Sequence, residues 1–273
     1  METRDTIIVT GATGGMGSAA VQTLAEKGCR VIMACRNMAK AEVARSNALS
    51  RHPKADIEIM ELDLASMASV KAFAESIQSG SVTGLFNNAG TTSKEYYITA
   101  DGLENTFAVN YFGPWLLTRL LADKLPEKAR IVNMVSLTCR YADISPEGLQ
   151  PKPEQFRQLK TYAATKRALL SFTLEFARRY PQFIVNMADP GVVSTGIIDL
   201  GHWYDPITDK VFRPFCKKPE DGVAPALRAL EAADGVEYYV GRGSRPVADR
   251  YLDTSLDASL WEATERILEN YLR

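Results

Sequence analysis

The chain has 273 residues, 46% apolar and 24% charged, and its 32 Lys and Arg against 33 Asp and Glu leave a formal charge of −1. That balance lacks the cation surplus that draws proteins to nucleic acid or anionic membrane, so neither is expected as a partner. Two histidines (His52, His202) and four scattered cysteines (Cys29, Cys35, Cys139, Cys216) form no CxxC pair and no His cluster. Neither a metal site nor a disulfide framework is therefore expected. No uninterrupted run of about 18 apolar residues occurs, and charged residues lead straight into the first apolar run. These features predict a soluble protein of a reducing compartment, with the cytoplasm as its location.

Short β-branched runs alternate with amphipathic stretches, the rhythm of a parallel sheet with crossover helices. Ile7 to Val9 reads as a strand, Met16 to Lys27 as a helix stopped by Gly28, Val31 to Ala34 as a strand and Met38 to Arg51 as a helix. A strand at Ile57 to Leu62, a helix at Met67 to Ser79, a strand at Gly84 to Asn87 and a long helix from Gly102 to Leu125 follow. Next come a strand at Arg130 to Val135, a helix from Thr161 to Tyr180 and a strand at Phe183 to Ala188. A helix after Pro219, a short strand at Glu237 to Val240 and a terminal helix at Asp257 to Leu272 complete the chain. Mostly uncharged strands need helices on both faces, so the pattern predicts one α/β domain: a doubly wound, Rossmann-type sheet of about seven strands. The long irregular stretch at 191–218, rich in Gly, Pro and aromatic residues, is expected to form a lid.

Between the first strand and first helix lies Thr10-Gly11-Ala12-Thr13-Gly14-Gly15-Met16-Gly17. Glycines there allow a tight turn and let backbone N–H groups approach a pyrophosphate at the helix N-terminus. NAD-preferring folds place an acid at the end of the second strand, about 20 residues further on, to accept the ribose 2′-hydroxyl. Here Cys35-Arg36-Asn37 stands at that point. A guanidinium suits a 2′-phosphate, so NADP (NADPH) is the expected cofactor, with Lys40 as a second cation. The alternative is a solvated arginine at a strand end.

Tyr162 and Lys166 stand four residues apart in Tyr-Ala-Ala-Thr-Lys, on one face of a helix. A phenol is a poor base at neutral pH, and a neighbouring cation favours its ionised form. Taken with the residues around them, these motifs resemble those of the short-chain dehydrogenase/reductase family. Thr10 to Gly17 looks like its TGxxxGxG loop, Asn87-Asn88-Ala89-Gly90 like its NNAG motif, and Tyr162 with Lys166 like its YxxxK. Asn110 and Ser136 match the other two members of its catalytic tetrad, and Pro190-Gly191-Val192-Val193 with Thr195 resembles its PG motif. Ala34 to Asn37, Glu61 to Leu64, Lys218 to Gly222, Leu260 to Glu262 and the long gap from Ser136 to Tyr162 look most like the retinol-dehydrogenase-like, NADP-preferring branch. Gly14 and Met16 depart from the residues common at those loop positions, through small or apolar exchanges.

The resemblance implies an oxidoreductase interconverting a carbonyl and an alcohol. Tyr162 would exchange the proton, Ser136 would hydrogen-bond the reacting oxygen, and Lys166 would lower the tyrosine pKa and hold the nicotinamide ribose. Asn110 would position a water relaying protons to Lys166. Gly11, Thr13, Gly15, Met16 and Gly17 would cradle the pyrophosphate, Asp63 and Leu64 the adenine, and Asn88, Ala89 and Gly90 the cofactor's path. Pro190, Gly191, Val193 and Thr195 would meet the carboxamide end. A homodimer or homotetramer through the two long helices, including Tyr162 to Leu170, would match relatives. Aromatic residues in the lid, with Tyr96, Tyr97 and Tyr141, suggest a small hydrophobic substrate, or else they pack the lid. Membrane-bound retinoid enzymes of this branch carry an N-terminal anchor that this sequence does not show, so retinol itself is not the expected substrate. A non-catalytic NADP-binding regulator of the same fold is the competing reading, and such proteins usually lose the tyrosine or lysine, both present here.

Overall fold

In the computed structural model, residues 5–193 and 217–272 are described. Among these residues, eight strands form one sheet in the order β3-β2-β1-β4-β5-β6-β7-β8. They are β1 (Thr6–Thr10), β2 (Arg30–Cys35), β3 (Asp56–Glu61), β4 (Gly84–Asn87), β5 (Arg130–Met134), β6 (Ile184–Asp189), β7 (Glu237–Val240) and β8 (Gly243–Pro246). Every pairing is parallel except the antiparallel β7–β8 edge. The order reverses between β1 and β4, which opens a crevice at their carboxyl ends.

Strand alternation divides the core. Ile8, Ile32, Leu85, Ile131 and Val185 face one cluster, while Ile7, Val9, Val31, Phe86 and Val132 face the other. The first cluster is covered by α3 (Met67–Ser76), α5 (Gly113–Leu121), α6 (Gln158–Arg179) and α8 (Thr254–Ile267). The second is covered by α1 (Gly15–Glu26), α2 (Met38–Arg51) and α7 (Pro219–Ala229). This is the doubly wound sandwich, in one domain, that the alternating apolar runs predict.

Local differences have local causes. The long helix expected from Gly102 starts later, at α4 (Asn105–Phe107), because Glu104 caps it, its Oε2 accepting from the Phe107 N–H at 2.9 Å. It then passes through a π-helical turn (Ala108–Phe112) before α5, and Asn110 lies in that turn. The terminal helix begins at Thr254, capped by Asp253, and breaks before a last turn, α9 (Glu269–Leu272). β8 is an additional strand beyond the expected seven; its residues Gly-Ser-Arg-Pro are all exposed, so no apolar alternation marks it.

The chain's own C-terminal helix lies on α6. Trp261 is buried, its ring 5.0 Å from that of Trp115 and stacked on Phe172 at 5.9 Å. Arg178 donates to the buried Asp257 at 2.7 Å, and the Tyr111 and Thr264 hydroxyls bond at 2.8 Å. Ala163 and the residues from Thr165 to Leu170, within the stretch expected to meet a second subunit, are buried inside this single chain. Replacing Trp261 by Ala should cost about 3–5 kcal/mol of stability in urea unfolding, the range for deleting a buried aromatic side chain. A cost below about 1 kcal/mol would show that α8 is not part of the cooperative core.

Candidate functional site

The glycine loop closes against the segment after β4 because two residues lack side chains. Gly11 has φ +63°, and a Cβ there would come within 2.9 Å of Ala89 Cα. A Cβ on Gly17 would meet Ala12 Cα at 2.8 Å and Asn88 Nδ2 at 2.9 Å. The Thr10 hydroxyl accepts from the N–H groups of both Asn88 and Ala89 at 3.0 Å, and the Asn88 amide donates to Thr10 O at 2.9 Å. Helix α1 has Gly14 as its N-cap and therefore no side-chain cap, leaving its first-turn N–H groups for an anion.

These elements frame a cleft of about 480 Å³. It is lined by Gly11, Thr13, Gly15, Met16 and Gly17; by Arg36, Asn37 and Lys40 after β2; by Asp63 and Leu64 after β3; and by Asn88, Ala89 and Gly90 after β4. Gly14, Ala34, Cys35, Leu62, Thr91, Asn105 and Val109 also line it. The motifs do not single these out as ligand residues, although most adjoin one in sequence. Asn37 caps α2, its Oδ1 accepting from the Lys40 N–H at 2.9 Å, which fixes the backbone between the two cations. Asp63 Oδ1 accepts from the Ala65 N–H at 2.9 Å.

The four residues expected to form a tetrad lie past Gly90, none of them among the residues that line the cleft. A Cβ on Gly90 would lie 3.5 Å from Lys166 Nζ and 3.6 Å from Asn110 Oδ1. Lys166 is buried and donates to Met134 O at 2.8 Å, with Nζ 5.9 Å from the centre of the Tyr162 ring. Ser136, at the end of β5, caps a 3₁₀ turn (Leu137–Tyr141) and hydrogen-bonds the Tyr162 hydroxyl. The Asn110 side chain is bound on both atoms: Oδ1 accepts from the Thr91 N–H at 2.7 Å, and Nδ2 donates to Thr91 O at 2.8 Å.

Pro190 and Gly191 follow β6, with the Gly191 N–H donating to Asp189 Oδ1 at 2.8 Å, and Val193 bridges to Lys217. None of the three lines the cleft. Thr195, and all of the expected lid between 193 and 217, lie outside the described residues.

Burial dominates the electrostatics. It pushes the Tyr162 phenol up to about 12, opposed by the Ser136 hydrogen bond and reinforced by negative charge on Asp189. It pushes the Lys166 ammonium down to about 8. Lys166 is not among the groups that shift the tyrosine: its ammonium turns to Met134 O, and desolvation is the largest cause. Because the unfolded chain holds the Lys166 proton up to its ordinary value, it binds more protons than the folded chain between about pH 8 and 10.5. Wild-type stability should thus rise relative to Lys166→Met as pH climbs from 8 to 10, the Tyr162 contribution being lost only above about pH 10. Parallel urea titrations that ran level across this range would contradict the desolvated ammonium.

A sheet with this strand order, a glycine loop at its switch point and a Tyr–Lys pair beside it define a dinucleotide-binding oxidoreductase class. The family model for short chain dehydrogenases matches residues 5–200, and the chain belongs to that family. Human retinol dehydrogenase 13 is 33% identical over 96% of this chain and 84% of its own length. Human WW domain-containing oxidoreductase is 31% identical over 97% of this chain and 68% of its own. Among solved structures, a putative uncharacterized protein from Mycobacterium paratuberculosis superposes with a TM-score of 0.79 at 28% identity, covering 98% of this chain and 96% of that one. A short-chain dehydrogenase from Sphingobium yanoikuyae in complex with NADPH shares the fold, with a TM-score of 0.62 at 17% identity over 98% of this chain and 96% of that one. Family members use NAD(P), so the chain is an oxidoreductase of small molecules. Among the described residues, no helix is long and apolar enough to cross a membrane.

Proposed function

We propose that this protein is an NADP(H)-dependent reductase of a small hydrophobic carbonyl, with Tyr162 as its general acid. The observation that carries this reading is the Ser136–Tyr162–Lys166 group, with Lys166 Nζ 3.5 Å from a Cβ built on the lining residue Gly90, beside a cleft lined by glycines and two cations.

The cleft fits a dinucleotide in chemistry. Uncapped N–H groups at the start of α1 suit a pyrophosphate, and a side chain at Gly11 or Gly17 would fill the close approach that shapes the loop. Arg36 and Lys40 offer two cations where a 2′-phosphate would lie, and the one carboxylate among the described lining residues, Asp63, already accepts from the Ala65 N–H. When bound, a reduced nicotinamide supplies hydride. Tyr162, holding its proton up to about pH 12, would donate it from its hydroxyl to the carbonyl oxygen. Ser136 would hydrogen-bond the same oxygen as its charge develops. Lys166 would hold the nicotinamide ribose, and Asn110 would fix the neighbouring loop.

Hydrophobic substrates are favoured by apolar side chains left exposed where the strands end. Tyr97 follows β4, Tyr141 follows β5, Leu159 opens α6 and Val192 follows β6, and each is more than half exposed. Tyr96 instead packs edge-on against Phe156 at 5.9 Å, so this pair braces the rim. The aromatic residues from 201 to 215 lie outside the described residues.

NADPH oxidation should be measured across aldehydes and ketones graded in size and polarity. Turnover should fall by about 10²-fold or more in Tyr162→Phe, the typical worth of acid–base catalysis. Equal rates in that variant would reject the assignment, and tight NADPH binding without turnover on any compound would favour a regulatory protein. Faster reduction of small hydrophilic carbonyls than of bulky apolar ones would reject the substrate class. In Arg36→Glu, the NADPH-over-NADH ratio of kcat/KM should drop by at least about tenfold, the equivalent of one charge-assisted hydrogen bond. An unchanged ratio would remove Arg36 from cofactor selection.

A further inference from the structure

The Asn110 amide has a third partner. Besides both backbone groups of Thr91, its Nδ2 donates to the hydroxyl of Thr165 at 3.1 Å. That hydroxyl in turn donates to the carbonyl oxygen of Tyr162 at 2.7 Å. Both Asn110 and Thr165 are fully buried, so no water competes for these bonds.

The bonding order is fixed by donor count. The Thr91 N–H can only donate, so Oδ1 must face it and the NH₂ group must face Thr91 O and Thr165. With its single proton given to Tyr162 O, the Thr165 hydroxyl can only accept from Asn110. The chain Thr91–Asn110–Thr165–Tyr162 therefore has one possible direction. It joins the loop after β4, the π-helical turn and the first half of α6, which lie far apart in sequence.

We infer that Thr165 is a positioning residue: its hydroxyl ties the turn of α6 that carries Tyr162 to the Asn110 amide, and so fixes the phenol relative to the cleft. The inference rests on the reading of Tyr162 and Asn110 as parts of the reductase site. Next to Thr165, Lys166 is held separately, its Nζ donating to Met134 O. The lysine anchors α6 to β5, and the threonine anchors it to the π-helical turn. With the Asn133–Thr173 bond farther along α6, these ties hold the turn that carries Tyr162 in one orientation.

The test compares Thr165→Val, Thr165→Ser and Asn110→Ala in the intact chain, using NADPH and the best carbonyl found. Valine keeps the β-branched shape and removes the hydroxyl, leaving one Asn110 N–H without an acceptor. The expected result is a loss in kcat of about tenfold to a hundredfold, as for a sub-ångström misplacement of a reacting group. KM for the carbonyl and Kd for NADPH should stay within about twofold, since the cleft is untouched, and serine should restore kcat. If the valine variant does not fold, Thr165→Ala removes the same hydroxyl without the methyl clash and is read the same way.

The inference is overturned if the hydroxyl-free variant keeps wild-type kcat while Asn110→Ala loses activity, whatever its melting temperature. It is also overturned if serine fails to rescue, or if KM and Kd rise with kcat unchanged. Wild-type turnover in Asn110→Ala would instead reject the parent reading of Asn110, and this inference with it. The two failures are therefore distinguishable.

Discussion

The site depends on how closely two strand ends approach. β1 and β4 are neighbours at the point where the strand order reverses, and both chains must turn away there without colliding. Gly11 and Gly17 make this possible, since side chains at either would overlap Ala89, Ala12 or Asn88. The Thr10 hydroxyl then accepts from the Ala89 N–H and, together with Phe86 O, from the Asn88 N–H as the chain leaves β4. Once that contact is closed, the N-terminus of α1 points into the crevice. The cleft follows from an absence of atoms at two positions and one hydroxyl beside them.

A second constraint holds the other half of the site. Asn87 donates to Thr118 on α5 at 3.0 Å and to Asn133 on β5 at 2.8 Å, and Asn133 donates to Thr173 on α6 at 2.9 Å. These buried amides cross from one strand to the next and onto both helices. Apolar side chains in their place would fill the volume but would tolerate sliding. Directional bonds do not, so β4 and β5 keep a fixed register beneath α5 and α6. Asn88 and Ser136 lie one and three residues beyond Asn87 and Asn133 in sequence, and their placement inherits that register.

Much of this was legible in the chain because the chemistry needs uncommon residues at fixed spacings. Glycines between an apolar run and a helix, an arginine where an acid would select NAD, and a Tyr–Lys pair one turn apart all declare themselves. The strands were readable where both faces are apolar. β8 was not, since an exposed edge strand with proline has no pattern to detect. The π-helical turn was invisible too, because one extra residue in a helix barely disturbs the apolar period over so short a stretch. Asn87 and Asn133 carried a signal that the motifs overshadowed: a polar residue inside an apolar strand has to find a partner. Thr165 carried the weaker form of that signal, since threonine in a helix often bonds only its own preceding turn.

The electrostatics of the site were the least legible feature, and the reason is physical. Residue types suggest that a lysine lowers the pKa of a tyrosine nearby, but the sign depends on burial. Here both groups are driven toward their neutral forms, with Tyr162 up to about 12 and Lys166 down to about 8. After burial, the groups that raise the phenol are Cys139 and Asp189, the latter held by the Tyr238 hydroxyl at 2.7 Å and the Gly191 N–H at 2.8 Å. A phenol in that field keeps its proton and is suited to giving it to an oxygen that is gaining negative charge. An ionised phenol is opposed by this field unless a full ammonium is retained on Lys166. The charge of Lys166 is thus set by how deeply α6 is packed against β5.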